Sequence, residues 1–586
     1  MLLSSLAAYG QTHAAEPNLN GRTEARSMVI SKEGIVATEQ PLASQAGAQI
    51  LARGGSAADA AIAANAVMGV IEPMMNGMGG DLFAIEWDAK SEKVSGLNSS
   101  GWAPAKLTPA LLRQKGFTRM PALGIYTVTV PGVVKGWWAL HQKYGRLPWA
   151  ELFKPAIYLA ENGFPVAEWD AAYWKALAPK LAWNPAYWNA VVARQGWNTA
   201  YWKAALPGLE KNAEARHVYM LNGRAPEVGQ VFRNPDYARA LRLVAENGPE
   251  AFYQGPIAAA ILKTSDEQGG VMTAGDLIDY TPQWVNPIST TYRGWTVYEM
   301  PPNSQGMAAL DMLNIMERFP LAEYGFASAK AFQIKIEAQK LAYTDLRRYL
   351  GDPRFAKVPV AGIISKDYAA ERAKEINLER ANCSAEAGNP VRYESDTQYL
   401  TAIDKDGNIV SLIQSLYSGF GSGVVVNPYG FILQNRGAGF VLDAASPDVL
   451  APRKRPFHTI IPAFMEKGSL HIGFGIMGGL NQAQAHAQFV SDIADEGMNI
   501  QQALEAPRFT KMDFSGCDVE MEDRVSAGVR QQLSTMGQQI RLLGDFASDV
   551  GGGQAVMRDS ATGVNYGASD PRKDGEAVPQ PGPYLK

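Results

Sequence analysis

Gly473, Gly475 and Gly478 stand in a Gly-x-Gly-x-x-Gly spacing, after the apolar run Leu470 to Ile472 and before the helix-like stretch LNQAQAHAQFVSDIADEG. Taken alone, that pattern points to a dinucleotide site, in which backbone N–H groups at a helix start hold phosphate oxygens. Two details argue against it. Asp495 and Glu496 fall where the helix ends at Gly497, not at the tip of a second strand that could hold a ribose. Only about 90 residues then follow, too few for a second nucleotide half. The N–H groups of Gly478 and Gly479 could instead hold an oxyanion. Other chemistry is missing. The chain has no Gly-x-x-x-x-Gly-Lys-Ser/Thr loop, and no serine has glycine two residues away on both sides. None of the six histidines, His13, His141, His217, His458, His471 and His486, pairs at the i, i+4 spacing of a helical zinc site. We expect neither a metal nor an organic cofactor.

The elements that would position such groups read as layered sheet and helix. Ile35 to Thr38 is a short strand, and Ser44 is placed to cap the turn into a helix through Ala48, Ile50 and Leu51. Gly54 and Gly55 break that helix. Ser56 then starts a small-residue helix, AADAAIAANAVMGVIEP, whose alanines allow close packing on a sheet. Leu82 to Ile85 reads as a strand buried on both faces. Thr290 to Tyr298 reads as one strand, and Ala308 to Met316 and Ala331 to Tyr343 have helical periodicity. Ser384 to Ser395 is polar and reads as a surface loop. Beyond it, Tyr399 to Ile403 and Ile409 to Leu416 alternate as two strands joined by DKDGN, whose Asp-Gly pair signals a tight hairpin. Thr397 lies at the mouth of that hairpin. Its residue type alone is that of an ordinary β-branched strand residue.

Composition narrows the function further. The chain has 586 residues with 54 basic and 58 acidic side chains, a net charge of −4, so no global positive field draws it to nucleic acid or an anionic membrane. Hydrophobic residues at 46% and charged ones at 19% fit a globular protein, and no apolar run reaches 18 residues. Cys383 and Cys517 allow one disulfide or two inert thiols. Residues 1–16 combine a short apolar stretch with small residues near Ala14 and Ala15, as a signal segment does. We expect a periplasmic or secreted protein, with a cytoplasmic one as the alternative. Between Trp169 and Glu210 three units open with Trp169, Trp183 and Trp197 at a period of 14. We read this Trp repeat as an insertion cemented by its rings and broken by Pro179, Pro185 and Pro207; a sugar platform or pocket lid is the functional alternative.

Several segments, in order, resemble the gamma-glutamyltransferase family of N-terminal nucleophile hydrolases across nearly the whole chain. They include GGSAADAAIAANAVMGVIEP at 54–73, NGMGGDLF at 76–83, VPGVVKGW at 130–137 and MPPNSQG at 300–306. DTQYLTAIDKDGNIVS at 396–411, GFGSGVVV at 419–426, MGG at 477–479 and GASDPR at 567–572 complete the pattern. The resemblance implies an α/β four-layer αββα sandwich, here with helical regions and the Trp-rich insertion. It implies a precursor that cuts itself between Asp396 and Thr397, giving a large subunit, 17–396, and a small catalytic subunit, 397–586. Thr397 would be the nucleophile, and its freed α-amine, with a pKa of about 7.7 to 8.0, the base. Ser415 matches a hydroxyl that bonds the nucleophile, and Gly478 and Gly479 match the glycines that stabilise the tetrahedral intermediate.

The substrate pocket departs from the family. The arginine expected to hold a glutamyl α-carboxylate becomes Ser100, and the acid expected near the strand end at 431–435 becomes Gly439, with Arg436 nearby. A serine pair becomes His458 and Thr459, and an asparagine becomes Tyr417. We expect a self-processing amide hydrolase or acyltransferase acting on γ-glutamyl or related amides, with Arg436 gripping a carboxylate from a new direction. The nearest alternative is an amidohydrolase for a non-glutamyl carboxylate-bearing amide, like the family's oxamate amidohydrolase and acylase branch. Remoter alternatives are an NAD-dependent oxidoreductase and a carbohydrate-binding protein. The expected partners are a small amide or peptide substrate and the two fragments of the chain itself; nucleic acid and a membrane span are not expected, and homo-oligomerisation is left open.

Overall fold

The DKDGN turn closes as its composition predicts. The Asp404 carboxylate accepts from the N–H groups of Asp406 and Asn408, each at 3.0 Å, and Gly407 takes φ +90°. Strand Asp396–Ile403 therefore folds back on Ile409–Tyr417. In the computed structural model, which describes residues 24–181, 213–384, 396–512 and 516–584, this hairpin is the centre of a seven-stranded antiparallel sheet. Its spatial order is Glu576–Pro579, Ile35–Thr38, Asp396–Ile403, Ile409–Tyr417, Asp81–Asp88, Lys93–Ser99 and Gln283–Val285. A second antiparallel sheet of seven strands, with Gly553–Asp559, Leu470–Ile476 and Ala463–Lys467 at its middle, faces the first.

Each sheet carries helices on its outer face, which completes the αββα sandwich. Ala57–Ile71 is buried at every residue and lies against the hairpin; Ser56 and Asp59 form a reciprocal cap at its start. On the other side, Gly306–Met316, Ala329–Tyr349 and Asn481–Ala494 cover the second sheet. Between the sheets, Tyr399, Ile403, Ile409 and Ile413 pack with Phe464 and Val556. Alternation along strand Asp396–Ile403 sends Leu400 and Ala402 to the helix side and Tyr399 to the interior.

Gly473 and Gly475 now have a structural reason. A Cβ at Gly475 would sit 2.5 Å from the Tyr399 ring, and one at Gly473 would sit 2.5 Å from the Ile409 side chain. Two members of the Gly-x-Gly-x-x-Gly run let the sheets approach, so a dinucleotide site is not needed to explain them.

Some expectations are corrected. Ser44 does not cap its helix: Pro41–Ala52 starts earlier, with Gln40 as cap, and the Ser44 hydroxyl instead meets Thr38 at 2.8 Å. Thr290 to Tyr298 is not one strand but a hairpin, Ile288–Tyr292 and Trp295–Glu299, turned by Arg293 and Gly294 at φ +50° and +82°. Pro179 lies inside the helix Glu168–Leu181 near its end rather than breaking it. In the first unit of the Trp repeat, Trp174 is fully buried and Trp169 stacks on Tyr173. The second and third units lie outside the described residues, as does most of the loop 384–395. Cys383 and Cys517 are joined in a disulfide, with Cα atoms 4.9 Å apart. Among the described residues no helix is long and apolar enough to cross a membrane.

The Gly475 contact leads to a stability test. Gly475→Ala should lower unfolding stability by about 1–3 kcal/mol in urea melts, since the added methyl overpacks a ring held between two sheets. Tyr399→Leu in the same chain should recover part of that loss.

Candidate active site

Thr397 occupies an irregularity in the ladder: Asp396 pairs with Tyr417 and Gln398 with Gln414, so one strand carries an extra residue at this point. Bulges re-aim side chains. The Thr397 hydroxyl is fully buried and points to Ser415 Oγ at 3.4 Å, while Gln482 Nε2 approaches it at 3.5 Å. Ser415 Oγ also accepts the Tyr417 N–H at 2.7 Å. Tyr417 itself has φ +83°, an unusual conformation for a tyrosine.

From Tyr417 the contacts continue to Arg436. The Arg436 guanidinium lies 4.3 Å from the Tyr417 ring centroid and donates through Nη1 to Thr459 Oγ1 at 3.0 Å. Gln305 Nε2 donates to both the Thr459 carbonyl and the Gly479 carbonyl, the latter at 2.7 Å. The Gly479 carbonyl also accepts the Gln482 N–H at 3.3 Å. The path thus closes on itself: Thr397, Ser415, Tyr417, Arg436, Thr459, Gln305, Gly479, Gln482 and back to Thr397. Gly478 and Gly479 have φ +121° and +61°. Such angles at consecutive residues favour glycine.

Arg436 is the unusual member. It is fully buried, and its Nε and Nη2 meet no hydrogen-bond acceptor among the described residues. Burial pulls its pKa down to about 10, opposed by Tyr417 and Asp81, so it remains a cation at neutral pH. Asp81 lies nearby, but its carboxylate is already occupied. It accepts from the N–H groups of Gly101 and Gly132 at 2.8 and 3.2 Å, from Gln434 Nε2 at 2.8 Å, and pairs with His458 Nε2 at 2.7 Å.

His458 has both ring nitrogens engaged, with Asn303 Nδ2 3.1 Å from Nδ1. Burial and the Arg436 charge lower its pKa, which favours the neutral ring. Ser100 is buried and donates to Asn98 Oδ1 at 2.6 Å. Asn303 lies between Ser100 and His458. The structure therefore gathers the residues nominated from sequence into one cluster: Thr397, Ser415, Gly479, Arg436, Thr459 and Tyr417 in the closed path, Gly478 beside it, His458 and Ser100 on its flank. Gly439 ends the short helix Arg436–Gly439. Asp81, Asn303, Gln305 and Gln482 complete the cluster and were not nominated. The first three stand inside NGMGGDLF and MPPNSQG, two of the segments that carry the family resemblance.

A buried threonine at the mouth of a central hairpin, inside a four-layer αββα sandwich, defines the class of N-terminal nucleophile amide hydrolases. The comparisons with known proteins place the chain within that class. A family model described as Gamma-glutamyltranspeptidase matches residues 43–580, and the chain belongs to this family. It is 35% identical to the glutathione hydrolase-like YwrD proenzyme of Bacillus subtilis over 94% of this chain and 99% of that protein. It is 30% identical to the oxamate amidohydrolase proenzyme of Klebsiella pneumoniae, over 94% of this chain and 99% of that protein. The crystal structure of cephalosporin acylase from Bacillus halodurans superposes with a TM-score of 0.86 at 40% identity, covering 97% of this chain and 99% of that one.

Behind strand Asp396–Ile403, on its helix side, lies a buried group of carboxyls. Glu72 accepts from Gln398 Nε2, whose Oε1 takes Asn76 Nδ2 at 2.7 Å, and Glu39 accepts the Tyr399 N–H at 3.1 Å. Burial pushes Glu39 up to about 8, against the pull of Lys573, and Asp170 up to about 7. Glu72 is raised as well, by burial first and by Asp170 second. Asp570 and Asp574 add negative charge around the group. The folded chain therefore keeps protons that the unfolded chain releases near pH 4.3. The stability tied to those protons is fully present below that pH and is lost as pH rises to about 8. Thermal melts should show Tm falling across this window, and Glu39→Gln should flatten the slope.

Proposed function

We propose that the chain is a proenzyme that cuts itself between Asp396 and Thr397 and then hydrolyses amides whose acyl part carries a carboxylate, γ-glutamyl amides among them. In the first step Thr397 Oγ1 attacks the Asp396 carbonyl carbon. The C–O bond forms, the C–N bond breaks, and the proton leaving Oγ1 ends on the new α-amine. Water then hydrolyses the ester, freeing the Asp396 carboxylate and the Thr397 hydroxyl. In turnover the α-amine takes the hydroxyl proton as Oγ1 attacks the substrate amide and returns it to the leaving amine; water then hydrolyses the acyl ester, releasing the acid and restoring the Thr397 hydroxyl. Ser415 keeps the hydroxyl oriented, and the N–H groups of Gly478 and Gly479 receive the developing oxyanion in this reading.

The observation that carries the substrate reading is Arg436: a buried cation whose Nε and Nη2 have no acceptor among the described residues, in contact with the tyrosine whose N–H holds Ser415. A guanidinium is suited to bidentate carboxylate recognition. The arginine expected from the family is Ser100, which spends its hydroxyl on Asn98, so Arg436 takes over the anchoring charge. The names of the relatives, a glutathione hydrolase-like proenzyme, an oxamate amidohydrolase and a cephalosporin acylase, are consistent with amides of this kind. The Cys383–Cys517 bond supports a periplasmic or secreted location and the reading of residues 1–16 as a signal segment, because such bonds persist in oxidising compartments.

On a reducing denaturing gel the protein should run as two fragments, the smaller beginning at Thr397, and Thr397→Ala should remain one chain. Without reductant the wild-type fragments should migrate together through Cys383–Cys517. In glutathione hydrolysis, Arg436→Ala should lower kcat/KM by about 10- to 150-fold, the equivalent of one charge-assisted hydrogen bond of about 1.5–3 kcal/mol. Unimpaired turnover in that variant would remove Arg436 from the pocket.

A further inference from the structure

We propose that Gln482 is a further catalytic residue, a side-chain donor to the nucleophile oxygen in both self-cleavage and turnover; this rests on the function proposed above. Three observations fix its role. Gln482 is fully buried at the start of the helix Asn481–Ala494. Its Oε1 accepts the Ile461 N–H at 3.0 Å, which determines which end of the carboxamide faces where. The remaining end, Nε2, meets Thr397 Oγ1 at 3.5 Å.

The chemistry follows from that orientation. A neutral threonine hydroxyl gains little from a donor at 3.5 Å, the long end of hydrogen-bond range. Charge on the same oxygen changes the balance, because hydrogen bonds to an anionic oxygen are shorter and roughly twice as strong. Oγ1 gains negative character twice in each cycle: when its proton passes to the base, and when the ester C–O bond breaks and Oγ1 leaves. A donor fixed by Ile461 is already aimed at that oxygen and needs little reorganisation when the charge appears. Ser415 Oγ stands as the acceptor of the Thr397 hydroxyl at 3.4 Å, so the donor already directed at that oxygen is Gln482 Nε2. Gln482 and the glycine pair then divide the work, the first at the nucleophile oxygen and the second at the carbonyl oxygen.

Two substitutions separate donation from packing. Gln482→Met removes both ends of the carboxamide, whereas Gln482→Glu keeps an acceptor for Ile461 N–H and replaces the donor by an acceptor. Both should slow self-cleavage and lower kcat by on the order of 10²-fold while KM stays within about a factor of two. The deficit of the glutamate variant relative to wild type at the same pH should shrink as pH falls and its carboxyl becomes protonated, a response that packing alone does not give. Wild-type cleavage and kcat in either variant would overturn the proposal. So would a loss confined to Gln482→Met, which would assign Gln482 only to holding Ile461. If the wild-type chain itself stays uncut, it is the proposed function that fails, and the two failures are told apart on the same gel.

Discussion

The Thr397 hydroxyl, the proposed nucleophile, is held without any solvent exposure, and the groups that reach it among the described residues come from different parts of the chain. Thr397 is placed by a ladder irregularity in the central hairpin, Ser415 by the opposite strand, and Gln482 by a helix of the other layer. This convergence requires the two sheets to lie close together. Gly473 and Gly475 permit it by leaving room for Ile409 and Tyr399. The close-packed interface then acts as the ruler for the site, because a shift of one sheet would separate Gln482 from Thr397.

Charge is arranged with the same economy. Asp81 collects two backbone N–H groups, an amide and an imidazole, so its carboxylate is satisfied within the protein. Among the described residues Arg436 has a hydroxyl and an aromatic face. Under the proposed function that contrast separates a structural charge from one that holds a ligand. Burial and the Arg436 charge lower the pKa of His458, which disfavours a second cation near the first.

Much of this was legible in the sequence where the signal is local. The DKDGN turn, the Ser56-capped alanine helix and the buried run at Leu82 to Ile85 are short-range patterns, and all appear as expected. Cross-layer features were not legible. The glycine run looks like a nucleotide motif because its true constraint, the Tyr399 ring, is some 75 residues away. The Arg293–Gly294 turn was hidden because arginine seldom adopts a positive φ. Gln305 and Gln482 are ordinary polar residues in their strings; only the fold brings one onto Thr459 and Gly479 and the other onto Thr397. The pairing of Cys383 with Cys517 across 134 residues was equally beyond any local pattern.

The position of the hairpin within its sheet has a consequence for assembly. Its two outer neighbours, Ile35–Thr38 and Asp81–Asp88, belong to the N-terminal part of the chain, and both flank strands that lie beyond Thr397. Under the proposed maturation the products would be interleaved halves of one sheet, not two docked bodies. Parting them would mean unzipping those two ladders, the one between Ile35–Thr38 and Glu576–Pro579, and two more in the second sheet, and exposing the apolar faces on either side, so exchange of fragments between molecules would amount to denaturation. The covalent tie at Cys383 would add a high effective concentration for rejoining any strands that frayed.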